Sequence, residues 1–152
     1  MPNRGHEFRD LLITDIESWN TPGLAVYKEA WVGTRFLGVR RHVDIVVTHG
    51  TRAIGIEAKV QFGEGTADEK LFYTLEDCRH APIPMIIAFT GTHIGPDIQS
   101  QLILSGYGVA VETAIDATGH LVIRDADVLR QRIRIVLGLD WLADQTARRV
   151  WP

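Results

Sequence analysis

Asp44, Glu57 and Lys59 are the residues whose types and spacing point to chemistry, in the stretch RRHVDIVVTHGTRAIGIEAKVQ. Residues 43–47 and 52–59 are β-branched, apolar runs that read as two strands. The segment between them carries His49-Gly50, a turn signal. A two-residue loop at 49–50 pairs Thr48 with Thr51. In that register Asp44 stands opposite Gly55, with Glu57 as its diagonal neighbour on the same face. Strand side chains alternate, so Lys59 shares the face of Glu57, while Val43, Ile45, Val47, Ile54, Ile56 and Ala58 take the other. Gly55 then leaves room opposite Asp44 for a hydrated ion. Lone charges in a sheet interior are costly unless paired or bound to metal. Two adjacent carboxylates repel, and a divalent cation removes that repulsion. Mg²⁺ chooses oxygen ligands and keeps waters beside a phosphate. A lysine at hand can orient or deprotonate an attacking water, or neutralise charge on the phosphate. The chemistry that fits is metal-dependent phosphodiester hydrolysis.

These residues need a scaffold, and the chain supplies one. Residues 6–19 place Phe8, Leu11, Leu12, Ile16 and Trp19 on one helical stripe. Asn20-Thr21-Pro22-Gly23 breaks the chain, and 24–32 read as a strand. After the hairpin, Thr66 with Glu69 three residues on matches a capping box for a helix over 67–80. Residues 85–90 (MIIAFT) are continuously apolar, as in a strand covered on both faces. A short helix over 96–105, a strand over 107–113, an extended piece over 120–124 and helices over 126–138 and 140–150 complete the chain. The order α-β-β-β-α-β-α-β-α predicts an α/β fold: a mixed central β-sheet with helices on both faces.

The 152 residues fit a single domain, 1–152, and neither a repeat nor a linker divides them. A net charge of −3 exerts no general pull on nucleic acid. Arginine outnumbers lysine 13 to 3, so each lysine is a selective choice. The single cysteine, Cys78, excludes an internal disulfide and a cysteine-based zinc site. It suits a reducing cytosol. The opening MPNRGHEFRD is polar, unlike a signal peptide, and no apolar run approaches the ~20 residues that span a bilayer. A cytoplasmic protein with no membrane partner is expected. None of the six histidines shows the His-x-x-x-His spacing of a helical zinc site. Glycine-rich phosphate loops of Walker or dinucleotide type are absent as well.

Val43-Asp44, a gap of twelve residues, then Glu57-Ala58-Lys59 resembles the motif of the PD-(D/E)xK nuclease superfamily, with valine where the family has proline. The element order over roughly 6–113 is similar to the restriction-endonuclease-like core, α-β-β-β-α-β. The resemblance implies that Asp44, Glu57 and the Ala58 carbonyl hold Mg²⁺ or Mn²⁺, and that Lys59 acts on the water. It implies a polar role for Gln61, on the same strand face. It also implies a further acid on the first helix, for which Glu7 and Asp15 compete. Glu7 is favoured, because GHEFRDLL resembles the Gly-x-x-Glu opening of several family helices. The expected activity is a Mg²⁺-dependent DNA endonuclease working as a homodimer; the alternative is a catalytically inactive nuclease-fold subunit that binds DNA or protein.

Beyond that centre, Gly65, Thr66 and Lys70 are candidates for phosphate contact at a helix N-terminus, where N–H groups are free. A plain capping box explains the same residues more simply. Arg40 and Arg41, with His42, either approach DNA phosphates or form a solvated strand start. The arginines of 130–149 are interleaved with acids, which favours a solvated helix face over a DNA surface. Cys78 and Trp31, Trp141 and Trp151 are expected in the core or at interfaces.

Overall fold

The computed structural model describes residues 3–35, 38–61, 67–92 and 94–139. The elements are α1 (Arg4–Glu17), β1 (Leu24–Thr34), β2 (Arg40–His49), β3 (Arg52–Val60), α2 (Ala67–Arg79), β4 (Met85–Thr90), α3 (Pro96–Leu104), β5 (Gly108–Ala110), β6 (Glu112–Ile115), β7 (Leu121–Asp125) and α4 (Asp127–Leu137). The main sheet runs β1-β2-β3-β4-β5. β2 runs antiparallel to both β1 and β3, whereas β3, β4 and β5 are parallel. The mixed α/β architecture expected from the element order is therefore present. The helix expected over 140–150 lies outside the described residues.

Two apolar clusters sandwich the sheet. Phe8, Leu12 and Ile16 of α1 and Leu129, Ile133 and Leu137 of α4 cover one face, against Ile45, Val47, Ile54, Ile56 and Ala58. Leu71, Leu75 and Cys78 of α2 and Ile98 and Leu102 of α3 cover the other, against Val46, Met85, Ile87 and Phe89. β4 lies between both layers, so all six of its residues are buried. That is the physical reason its sequence is apolar without alternation.

The structure departs from the sequence reading in two places on this scaffold. The strand expected over 107–113 divides. β5 ends at Ala110, and β6 turns away to form a separate hairpin with β7. Asp116 stabilises the turn of that hairpin, since its Oδ1 accepts from the N–H groups of Thr118 and His120, both at 2.9 Å. The β2–β3 register also shifts. Thr48 pairs with Ala53 and His49 with Arg52, so the loop is Gly50-Thr51. Gly50, with φ +60°, supplies the turn conformation. Gly55 consequently faces Val46 instead of Asp44. An added Cβ there would lie 3.1 Å from both Val43 Cγ1 and Met85 Cε, so this glycine makes room for the core, with no space for a hydrated ion. The slip is two residues, an even number, so Glu57 and Lys59 keep their face.

Gly91 fixes the end of β4 against the end of β3. Its φ is +121°, and a Cβ would sit 2.6 Å from the carbonyl carbon and 2.9 Å from the nitrogen of Gln61. Gly91→Ala should therefore cost about 2–3 kcal/mol, read from the denaturant midpoint. Gly38→Ala has φ +78° but open space around it, and should cost only about 1 kcal/mol. Equal losses at the two positions would show that contact with Gln61 is not what constrains Gly91.

Candidate active site

β3 sets the geometry. Gly55 and Gln61 give their N–H groups to the β4 side, to Pro84 O at 2.9 Å and Thr90 O at 3.1 Å. Ala58, of opposite parity, turns its N–H and carbonyl edge towards β2. The regular β2–β3 ladder stops at the Ile45/Ile56 pair. Beyond it, Asp44 Oδ2 accepts the Ala58 N–H at 2.8 Å, in the place where a strand carbonyl would otherwise serve. Asp44 is thereby held at the edge from which Glu57 projects.

Across β2, the pairs Lys28/Ile45 and Ala30/Val43 flank a step at Glu29 and Asp44 that does not pair. Glu29 has φ +54°, a sparsely populated conformation for a residue with a side chain. Arg9 of α1, itself only 6% exposed, holds the Glu29 carboxylate at 2.8 Å. The inside–outside alternation of β2 changes phase at this step. Val43 joins Val46 in the cluster under α2, whereas alternation had placed it with Ile45 and Val47.

Glu57 is buried and faces α2, where its charge contributes to pushing the Cys78 thiol up to about 12. Burial is the largest cause of that shift. Cys78 is thus a core thiol and no nucleophile at neutral pH. The Glu57 carboxyl is itself pushed up to about 8, first by burial, then by the Asp44 charge and a hydrogen bond shared with Asp44. Lys59, with Nζ 4.0 Å from Glu57 Oε2, and Arg35 oppose that rise. Two carboxylates competing for one proton describe a site with surplus negative charge. A hard divalent cation fits such a pair, with Ala58 presenting a carbonyl to the same edge and water or phosphate oxygens filling the other positions. Among the described residues, no group of three or more His, Cys, Asp and Glu side chains could hold a metal ion.

The other candidates separate. Gln61 lies just past the end of β3, two residues after Lys59, where its N–H still bonds to Thr90 O. Glu7 binds Arg4 Nη1 at 2.7 Å and accepts the Leu121 N–H at 2.6 Å, so it fastens α1 to β7 and is not brought to the Asp44–Glu57 pair. Asp15 is taken by Arg130, at 2.7 and 2.9 Å, and fastens α1 to α4. Both helix acids thus serve packing on the face opposite the site.

Arg41, expected at DNA phosphates, lies inside the protein instead. It is 2% exposed, and its guanidinium forks onto Asp77 of α2 at 2.9–3.1 Å, so it does not reach DNA phosphates. Arg40 is exposed and stacks over the Trp31 ring at 4.5 Å. Trp31 is 57% exposed and not part of the core. Lys70 is exposed on the first turns of α2. Gly65 and Thr66 lie outside the described residues. Sequence reasoning missed Arg35, whose charge reaches Glu57. Its place in a glycine-flanked hairpin end carries no periodic signal.

Residues 4–105 match the family described as the PD-(D/E)XK nuclease superfamily domain. No curated protein matches the chain. Among solved structures, it is similar to Pyrococcus furiosus SfsA in complex with Ca²⁺, at 12% identity and a TM-score of 0.43, covering 74% of this chain. The chain spans 58% of the length of that protein. It is also similar to AF1548, a protein of unknown function, at 14% identity and a TM-score of 0.45, covering 87% of this chain and 79% of the other.

The raised Glu57 carboxyl makes the metal-free fold pH-sensitive. Its folded value of about 8 exceeds the unfolded 4.5. The stabilisation from its proton is therefore complete below about 4.5 and is lost as pH rises through 8. Glu57→Gln should raise the metal-free Tm at pH 8.5 by roughly 5 °C, with no gain at pH 4.5. A gain independent of pH would sink this account. Arg41→Ala leaves Asp77 without its fork and should cost about 3–5 kcal/mol, seen as lost stability before any loss of DNA affinity.

Proposed function

The chain belongs to the PD-(D/E)XK nuclease superfamily, and from that premise we infer that it is a divalent-metal-dependent DNA endonuclease hydrolysing phosphodiester bonds by attack of an activated water. The observation that carries this reading is the Asp44–Glu57 carboxylate pair with Lys59 4.0 Å from Glu57. Asp44 and Glu57, with the Ala58 carbonyl, are the residues that would hold Mg²⁺ or Mn²⁺. The ion would supply Lewis-acid stabilisation of charge on the phosphate and a more acidic water. Glu57 must give up its proton to serve as a ligand; its raised proton affinity opposes that, and a rise in pH towards 8, or the cation's own charge, favours it. Asp44 is kept in place through its bond to the Ala58 N–H. Lys59 reaches out from a side chain one-third exposed, where its ammonium can orient the water or neutralise charge on the phosphate. Gln61 is assigned a polar contact beside it. Arg40 and Lys70 are assigned phosphate contacts flanking the site.

Asp44→Ala and Lys59→Ala should each lower cleavage of plasmid DNA by at least about 10²-fold while leaving the unfolding transition in place. Mg²⁺ or Mn²⁺ should restore cleavage to protein stripped with a chelator, and Ca²⁺ should support binding without cleavage. Wild-type rates in both variants would refute the assignment. DNA binding without cleavage under any divalent ion would favour the inactive nuclease-fold subunit instead. A homodimer, with one site per strand of a duplex, is the expected assembly on DNA, and light scattering would detect it.

A further inference from the structure

A cleft of about 350 Å³ opens on the α2 face of the sheet, lined by Thr34, Arg35, Tyr73, Glu76, Asp77 and His80. Its lining also includes Arg41, three residues before Asp44 on β2. Arg35 acts electrostatically on Glu57, and Cys78, the residue after Asp77, feels Glu57 and Lys59 as well as Asp77. The volume is at the lower end for small-ligand sites, about 300–1,000 Å³, and suits a single nucleotide.

The charges in the cleft are unevenly committed. Asp77 is already satisfied by the Arg41 fork, at 2.9–3.1 Å. Glu76 is paired with Arg79. Arg35 is the loosely held member. Its Nε lies 3.4 Å from Asp77 Oδ2, and that nitrogen is buried without a hydrogen-bond partner. The side chain as a whole is 34% exposed, and a guanidinium so loosely paired gains from an anion that offers oxygens to its open side. Tyr73 stands beside it, 63% exposed, with its ring centroid 5.9 Å from the Arg35 guanidinium carbon. A ring that open serves no core, and an exposed aromatic next to a cation is the pairing by which proteins grip single-stranded DNA. A base in a duplex stays stacked on its neighbours, so only an unpaired base reaches the ring.

We propose that this cleft is a nucleotide subsite: it takes one unpaired nucleotide flanking the scissile phosphate, with the base on Tyr73 and a phosphate on Arg35. Single-stranded, gapped or flapped DNA is then the substrate class. The subsite rests on the nuclease reading for its biological meaning, but its occupancy is measurable without cleavage.

The test is fluorescence anisotropy of a labelled short oligothymidylate with the full chain in Ca²⁺ buffer, across a salt series. Tyr73→Ala should weaken binding about tenfold, and Tyr73→Phe should stay within twofold of wild type. Arg35→Ala should reduce the slope of log affinity against log salt by about 0.7, the loss of one single-strand phosphate contact. Thermal unfolding of each variant confirms the fold, which an exposed tyrosine leaves intact. Failure of the wild-type protein to bind the oligonucleotide overturns the proposal. So does affinity unchanged by Tyr73→Ala in a protein that cleaves DNA, which leaves the nuclease reading standing. Tyr73-dependent binding by a protein that cleaves nothing upholds the subsite and removes the nuclease reading.

Discussion

A carboxylate occupies a position that a backbone carbonyl should fill. Asp44 takes the Ala58 N–H exactly where the β2–β3 ladder ends, and the rest of the centre follows from that substitution. It gives Asp44 a fixed place at the strand edge. It brings a second negative charge against Glu57, whose burial already disfavours ionisation. The protein tolerates the pair by leaving a proton on it, and a cation can replace that proton.

Surrounding elements are arranged around the same break. On the β1 side, Glu29 adopts positive φ and Arg9 fastens it, so α1 reaches across to secure the distorted step. On the α2 side, the Arg41–Asp77 fork clamps β2 to the helix that covers Glu57. Glu7 and Asp15 do the corresponding work on the opposite face, tying α1 to β7 and α4. Charged residues within this chain therefore divide by use. Arg9, Arg41 and Arg130, each bound to a partner of opposite sign, hold the layers together, whereas Asp44 and Glu57 are crowded with like charge.

That division explains what the sequence discloses. Asp44, Glu57 and Lys59 are legible because they interrupt β-branched runs, where a charge has no packing reason to be. The burial of β4 and the stripe of α1 are legible because apolar periodicity reports coverage directly. Arg41 is not, since its partner Asp77 lies 36 residues away and pairing at that range leaves no local pattern. Glu7 misleads for the same reason, because its partner is the N–H of Leu121, 114 residues distant. The hairpin register is less legible, as His49-Gly50 and Gly50-Thr51 both offer a glycine to the loop. Even so, the even-numbered slip leaves Glu57 and Lys59 on their expected face.

The kinked step at Glu29 also governs how the sheet ends. β1 is the outermost strand on its side, eleven residues long, with Tyr27 and Trp31 exposed. A flat edge of that length is a template for growth by another strand and so for aggregation. The positive-φ residue divides it into 24–28 and 30–34, and the buried Arg9 locks the division in place. A distortion beside Asp44 thus doubles as a guard on the neighbouring strand, limiting association of the sheet by conformation at an edge that none of the described helices covers.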